Sequence, residues 1–255
     1  MTLQFQTLRF DSLPSTNLEV ARRAEEGAAE GLCIVAAEQT AGRGRLGREW
    51  LSPRGAGIYC STLLRPQFEQ KLWPLITLMS AVVVKEALSE ACGLETDIKW
   101  PNDILHDERK LCGILAETVE TPGGRAVVVG IGINLTNDSF PNELANVATS
   151  VAAATGREPV LDLVLEKLQR SFAGWYRKLN QEQGANEIIL AWSQRSSYAN
   201  GKRVRVTDSG THVDGTTHGL DFEGGLRLET ETGEIKIIRT GDVTVRPLQR
   251  TKLNE

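Results

Sequence analysis

The stretch TDIKWPNDILHDERKLCGILAETVETPGGRAVVVGIGINL, residues 96–135, decides the fold. It breaks into apolar runs rich in β-branched residues, separated by turn-forming residues. TDIKW (96–100), the segment around Ile104 and Leu105, LCGILAETV (111–119) and RAVVVGIGINL (125–135) read as successive strands of one sheet. The turns between them fall at Pro101-Asn102-Asp103, across the charged stretch from His106 to Lys110, and at Pro122-Gly123-Gly124. Upstream, residues 74–92 carry Leu75, Leu78, Met79, Val82, Val83 and Leu88 at helical spacing and stop at Gly93, which predicts a core helix. IYCSTLL (58–64), LCIVAAE (32–38) and residues 3–10 read as further strands. Ser15-Thr16-Asn17 opens a capped helix in which Thr16 and Glu19 are spaced as a capping box. Downstream, two helices are expected near 160–180 and 185–194.

After Ser196 the texture changes to short alternating runs with glycine turns every 8–10 residues, which predicts a small all-β, barrel-like module. The expected fold is therefore α+β: a mixed or antiparallel sheet with packed helices over residues 1–196, and a small β domain over 197–255. With 255 residues, 40% hydrophobic and 24% charged, the chain is of ordinary globular composition, not collagenous, disordered or coiled-coil. The net charge of −4 argues against a nucleic-acid backbone or an anionic membrane as the main partner. The N-terminus lacks the blocks of a signal peptide, and no apolar run approaches the ~20 residues that span a bilayer. Cys33, Cys60, Cys92 and Cys112 lie 27, 32 and 20 residues apart, which fits buried free thiols in a reducing cytoplasm better than a metal or disulfide framework. His106, His212 and His218 show no zinc-ligand spacing.

Between two predicted strands lies AGRGRLGREWLSPRGAG (41–57). Gly42 to Gly47 matches G-x-G-x-x-G, but Arg48-Glu49-Trp50 leads into Ser52-Pro53 and a second strand, so no helix N-terminus is offered to a pyrophosphate, which argues against a dinucleotide fold. The arginines distinguish the loop. Arg43, Arg45 and Arg48 among glycines can hold anionic oxygens by forked hydrogen bonds, although a solvated hairpin loop would look similar. Lys99-Trp100-Pro101-Asn102-Asp103 gathers a cation, an indole, an amide and a carboxylate at a strand end, with Lys110 a short turn later. Taken singly, Lys99 is also readable as an exposed strand end and Asp103 as a turn former. Gly130 and Gly132 inside a strand mark either close backbone approach or tight strand packing.

In this order and spacing, GRGRLGR with Trp50, KWPND, RKLCGILAE and GIGINL resemble the biotin protein ligases. The resemblance is specific from about Asp11 to Leu135, weaker through Ala148-Thr149-Ser150 and Thr155-Gly156-Arg157, and extends to a C-terminus similar to the family's SH3-like domain. It implies a class II synthetase-like catalytic domain that activates biotin with ATP as biotinyl-5′-AMP and passes it to a lysine of a biotin carboxyl carrier protein. It also implies Mg2+ on the phosphates, with its ligands unknown, and allows for a homodimer. Because the catalytic pattern starts within the first ten residues, a ligase without repressor activity is expected, with neither DNA nor membrane as partner.

The resemblance places Ser15, Thr16, Asn17 and Gln39 around the biotin ring, with Gly42, Arg43, Gly44, Arg45 and Lys110 completing the biotin site. Arg45, Arg48, Trp50, Lys99, Asn102, Lys110 and Asn134 fall to ATP or the adenylate. Their chemistry suits these tasks. A neutral ureido ring needs short neutral polar partners, and two anions that must meet need fixed cations, which Arg45, Arg48 and Lys110 can supply. Lys110, Arg45 and Asp103 are the catalytic candidates, Asp103 in an orienting role toward the incoming amine. Two other readings remain at this stage: a lipoate-type acyl-adenylating ligase of the same architecture, and a nucleic-acid-binding module using the arginine loop.

Overall fold

In a computed structural model that describes residues 3–208, 211–239 and 244–247, the 96–135 stretch forms four consecutive antiparallel strands. They are β4 (Asp97–Lys99), β5 (Asp103–His106), β6 (Arg109–Val119) and β7 (Ala126–Asn134). With β1 (Gln6–Phe10), β2 (Leu32–Ala36) and β3 (Gly57–Leu64) they build a seven-stranded sheet of order β1-β2-β3-β7-β6-β5-β4. Only β1 and β2 pair in parallel, with α1 (Thr16–Glu25) as their crossover, so the sheet is mixed. The charged stretch expected as one long turn is mostly strand. His106 faces Arg109 across a two-residue hairpin in which Asp107 and Glu108 both take positive φ, and Lys110 is thereby fixed within β6.

Helix α2 (Pro74–Cys92) ends at Gly93 in the left-handed conformation, as expected. It is apolar on nearly every side, which suits a helix buried between layers. The sheet packs on one side of it and α4 (Leu161–Leu179) and α5 (Gly184–Arg195) on the other. Residues 70–92 are long and apolar enough to cross a membrane by length and composition, contrary to the sequence expectation, but Leu75 to Leu88 of this stretch lie in the main core. Each fully buried Leu, Val or Ile there contributes about 1.5–3 kcal/mol. A short helix, α3 (Val151–Thr155), was not foreseen; Ser150 caps it by accepting from the Ala153 N–H.

The opposite face of the sheet is covered only in part. There α1 buries Val20 and Ala24 against Ile34, Leu63 and Val128. The expected capping box is not formed. Ser15 is the N-cap and makes no side-chain cap bond, Thr16 is already helical, and Glu19 pairs instead with Arg22 and Arg23. The hydroxyl of Thr16 is drawn away by the polar cluster described below.

The C-terminal module is a five-stranded antiparallel sheet of order β11-β10-β9-β8-β12. It comprises β8 (Asn200–Asp208), β9 (Thr211–Leu220), β10 (Leu226–Glu229), β11 (Ile235–Ile238) and β12 (Thr244–Pro247). Residues 209–210, 240–243 and 248–255 of the expected 197–255 domain lie outside the described residues. Among the described residues the module's Val204, Val206, Leu220, Leu226 and Leu228 pack in the same cluster as α2.

Candidate functional site

Three glycines clear the uncovered part of the sheet. Gly113 of β6 faces Gly132 of β7, and Gly130 lies between Leu115 and Ser61 in the neighbouring strands. A Cβ on Gly130 would fall 2.2 Å from Asn17 Oδ1, one on Gly132 2.4 Å from Trp50 Nε1, and one on Gly113 3.0 Å from the Trp50 ring. The glycines thus form a bare floor on which Asn17 and Trp50 rest. The N-terminal end of α1, the 41–57 loop and this floor border a narrow cleft open to solvent. Ser15, Thr16, Asn17, Gln39, Arg43, Gly44, Arg45, Trp50, Asn102 and Lys110 all line it.

One end of the cleft is neutral and buried. Gln39 Oε1 accepts from the Thr16 N–H (2.8 Å) and the Thr16 hydroxyl (3.1 Å), and Ser61 Oγ lies 2.7 Å from Thr16 Oγ1 and 2.6 Å from Asn17 Oδ1. Neither terminal amide can reverse its role. Gln39 Nε2 donates to Ser52 Oγ (2.8 Å), and Asn17 Nδ2 donates to Glu117 Oε2 (2.8 Å) and to the Leu115 carbonyl (3.3 Å). The chain Gln39–Thr16–Ser61–Asn17 therefore runs acceptor, hydroxyl, hydroxyl, acceptor: three oxygen contacts share two hydroxyl hydrogens. The Ser61 hydroxyl can donate to only one of Thr16 Oγ1 and Asn17 Oδ1, so an acceptor oxygen is left over that a ligand N–H can fill. Cys60 also lines this cleft, and burial holds its thiol well above the ordinary range and hence neutral.

The other end is cationic. Arg45 Nη1 donates to Asn102 Oδ1 (3.2 Å), whose Nδ2 in turn donates to the Ile114 carbonyl (2.9 Å). Lys110 Nζ lies 2.6 Å from Asp103 Oδ1 and 5.3 Å from the centroid of the Trp50 ring. Lys99 and Asp103 face each other across the β4–β5 hairpin, so KWPND is a hairpin turn that brings Asn102 to the cleft. The G-x-G-x-x-G segment opens no helix; Arg45–Gly47 is a single 3₁₀ turn with Leu46 at φ 64°.

Two further clefts adjoin. Gly44, Arg45, Arg48, Trp50, Lys99, Asn102, Asp103 and Lys110 are among the residues lining one of about 1,580 Å3. Trp50, Leu51, Lys110, Asn134, Phe140, Leu144 and Val147 line a more apolar one of about 600 Å3. Arg45 borders the first and second clefts, and Trp50 and Lys110 border all three.

The structure thus gathers the sequence candidates with one exception. Gly42 lines none of the three clefts; a side chain there would meet the Trp50 carbonyl at 2.2 Å, so it shapes the loop from behind. Asn134 is buried, donates to the Thr149 carbonyl (3.1 Å) and borders only the apolar cleft. Sequence reasoning missed Ser61, Ser52 and Glu117. The period-2 pattern from Gly113 through Leu115 to Glu117 places Glu117 on the glycine face and was the available signal. Among the described residues no group of three or more metal-ligating side chains occurs.

The chain matches the biotin/lipoate A/B protein ligase family over residues 1–134 and the biotin protein ligase C-terminal domain over residues 200–246. It is 41% identical over 239 residues to the bifunctional ligase/repressor BirA of Bacillus subtilis, covering 91% of this chain and 72% of that one. It is 35% identical over 226 residues to the biotin–[acetyl-CoA-carboxylase] ligase of Paracoccus denitrificans, covering 86% and 92%. Among solved structures, the biotin protein ligase from Aquifex aeolicus in complex with biotin and ATP is similar with a TM-score of 0.83 and 31% identity, over 95% of this chain and 99% of that one.

Proposed function

Because this chain belongs to the biotin protein ligases, we propose that its neutral and cationic cleft ends hold the two halves of one reaction. Biotin is activated by ATP to biotinyl-5′-AMP, and biotin is then transferred to a lysine of a biotin carboxyl carrier protein, the acceptor being the carrier subunit of an acetyl-CoA carboxylase. The observation that carries this reading is the proton-short chain from Gln39 to Asn17 at one end of a cleft whose other end holds Arg45 and Lys110.

A ureido ring brings two N–H donors and one acceptor. Its donors fill the deficit among Gln39, Thr16, Ser61 and Asn17, while its fused ring and side chain lie on the floor of Gly113, Gly130 and Gly132. The carboxylate then points toward Arg45 and Lys110. Both residues also border the larger cleft, where Arg48 and Lys99 supply further positive charge for a triphosphate. The adenine takes the apolar cleft of Phe140, Leu144 and Val147, beside Trp50 and Asn134. In the first step a carboxylate oxygen bonds to the α-phosphorus and pyrophosphate leaves. Arg45 and Lys110, fixed before the reaction, stabilise the charge that develops there. In the second, the carrier amine bonds to the acyl carbon, AMP departs with the bonding pair, and the amine proton is lost.

Asp103 holds Lys110 in the resting site, so its first role is to aim that cation. Mg2+ travels with the nucleotide. It needs only one or two protein carboxylates beside the phosphates, and Glu49, Asp103 and Glu108 border the larger cleft in keeping with that donor set. When bound it would neutralise phosphate charge. Residues 1–196 form the catalytic unit and 197–255 the accessory β domain in this reading, and four free cysteines accord with a reducing cytoplasm.

A lipoyl group would also meet the cations but carries no N–H for the buried oxygens, and leaving one buried partner unmatched costs about 1–3 kcal/mol. Incubation with α-labelled ATP and, separately, biotin, lipoate or octanoate tests the choice. Biotinyl-AMP alone is expected; an equal yield of lipoyl-AMP would overturn the ring assignment.

A further inference from the structure

Arg43 does not point at the cationic end of the cleft. Its Nη2 lies 2.9 Å from Glu117 Oε1 and its Nη1 3.4 Å from Oε2, and the same Oε2 accepts from Asn17 Nδ2 at 2.8 Å. Glu117 thereby joins three elements: β6, on which it sits, the first turn of α1, and the glycine–arginine loop. On the other side of that loop Arg45 is held by Asn102. The two arginines are splayed, one anchored at the ring end of the cleft and one at the phosphate end.

We propose that Glu117 is a positioning residue for biotin binding, a latch that holds the 41–57 loop over the cleft through Arg43 while fixing Asn17 against the ring. The inference rests on the biotin reading above and reassigns Arg43 from substrate ligand to the loop's half of the latch.

The strength of the contact suits a latch that must open. Arg43 is 45% exposed and Glu117 28%. An ion pair so wetted biases a loop between closed and open forms by roughly two- to fivefold, enough to favour closure without trapping product. It is also screened by salt. The carboxylate oxygens are shared, so loss of the charge loosens the loop while an amide oxygen in its place still receives Asn17.

Glu117→Gln separates these roles, and a double-mutant cycle with Arg43→Gln separates a latch from a ligand. Each single variant is expected to raise the KM for biotin roughly two- to fivefold with kcat near wild type, and the double variant to be no worse than either single. The KM of wild type should climb more steeply with ionic strength than that of Glu117→Gln, which keeps only the screening of the substrate's own charges. Amide exchange across residues 41–57, measured without substrates, should be faster in Glu117→Gln than in wild type. Multiplicative effects of the two substitutions would make Arg43 an independent substrate ligand and overturn the latch. So would unchanged exchange in Glu117→Gln. A wild-type protein that makes no biotinyl-AMP would sink the biotin reading instead, while the exchange comparison would still decide whether the pair holds the loop.

Discussion

The indole Nε1 of Trp100 donates to the carbonyl oxygen of Gly224 at 3.0 Å, joining the KWPND hairpin to the C-terminal module. Gly224 has φ +86°, and a Cβ there would meet Leu78 and Leu75 of α2 at 2.8 and 3.0 Å. The module is thus seated directly on the core helix and reaches the turn that presents Asn102 to Arg45 and Asp103 to Lys110. Trp100→Phe leaves the Gly224 oxygen without its donor in a buried site, at a cost of about 1–3 kcal/mol. Urea unfolding should show that loss. Adenylation assays should show a larger rise in KM for ATP than for biotin, because the displaced turn borders the larger cleft proposed for the triphosphate. Equal rises in both would mean that the module serves stability alone.

The floor glycines give a sharper contrast. Gly130→Ala drives a methyl group into Asn17, which is tied down by three hydrogen-bond contacts, whereas Gly132→Ala drives one into Trp50, which borders all three clefts. The first is expected to weaken biotin binding about tenfold or more, equivalent to ~1.4 kcal/mol, with little change toward ATP. The second should impair both ligands. Calorimetric titration of each variant with biotin and with a non-hydrolysable ATP analogue checks the difference, and identical profiles would contradict the placement of Asn17.

In the proposed mechanism Lys110 is the fixed cation beside the α-phosphate, so Lys110→Ala should fold normally yet lose roughly 10²–10³-fold in biotinyl-AMP formation. Asp103→Asn keeps the lysine but withdraws the carboxylate that aims it, so a smaller loss in the same half-reaction is expected. Transfer from pre-formed biotinyl-AMP to a carrier domain should survive Lys110→Ala better than adenylation does. Adenylation by Lys110→Ala at the wild-type rate would remove this residue from the chemistry.

Where meaning is local, the sequence carries it. The apolar spacing of residues 74–92 closed by Gly93 specifies α2, and the Pro101-Asn102 turn specifies the hairpin that faces Lys99 toward Asp103. Pairing across the sheet is less legible. Ser61 looks like one polar residue in an apolar strand, and only its register with Gly130 brings it under Thr16 and Asn17. The capping box misled because a local hydroxyl partner competes with a distant one: Gln39, 23 residues away, takes both the amide and the hydroxyl of Thr16. The stretch from His106 to Lys110 misled because Asp107 and Glu108 turn with positive φ, a conformation usually signalled by Asn or Gly. The resemblance supplied what local chemistry left open, namely that the arginine loop, KWPND and the strand glycines belong to one site.

Glu19, released from the capping role, gives α1 a measurable acid sensitivity. Its hydrogen bond to Arg22, reinforced by Arg23 and by their charges, outweighs desolvation and holds its carboxyl at about 2 in the folded chain, against an ordinary 4.5. The folded value is the lower one, so the ionised form is favoured by folding. Its contribution is complete above pH 4.5 and disappears as the pH falls toward 2. The arginine partners are half-exposed or nearly so, and screening limits the contribution to about 1 kcal/mol or less. Glu19→Gln should therefore be less stable than wild type by up to about 1 kcal/mol at pH 7, and the gap should close between pH 4.5 and 2. Because the first turn of α1 carries Thr16 and Asn17, the variant should also bind biotin slightly more weakly at neutral pH. Denaturant unfolding of both proteins at pH 7, 5 and 3 is the measurement, and a gap that persists unchanged at pH 3 would show that the ion pairs do not support the helix.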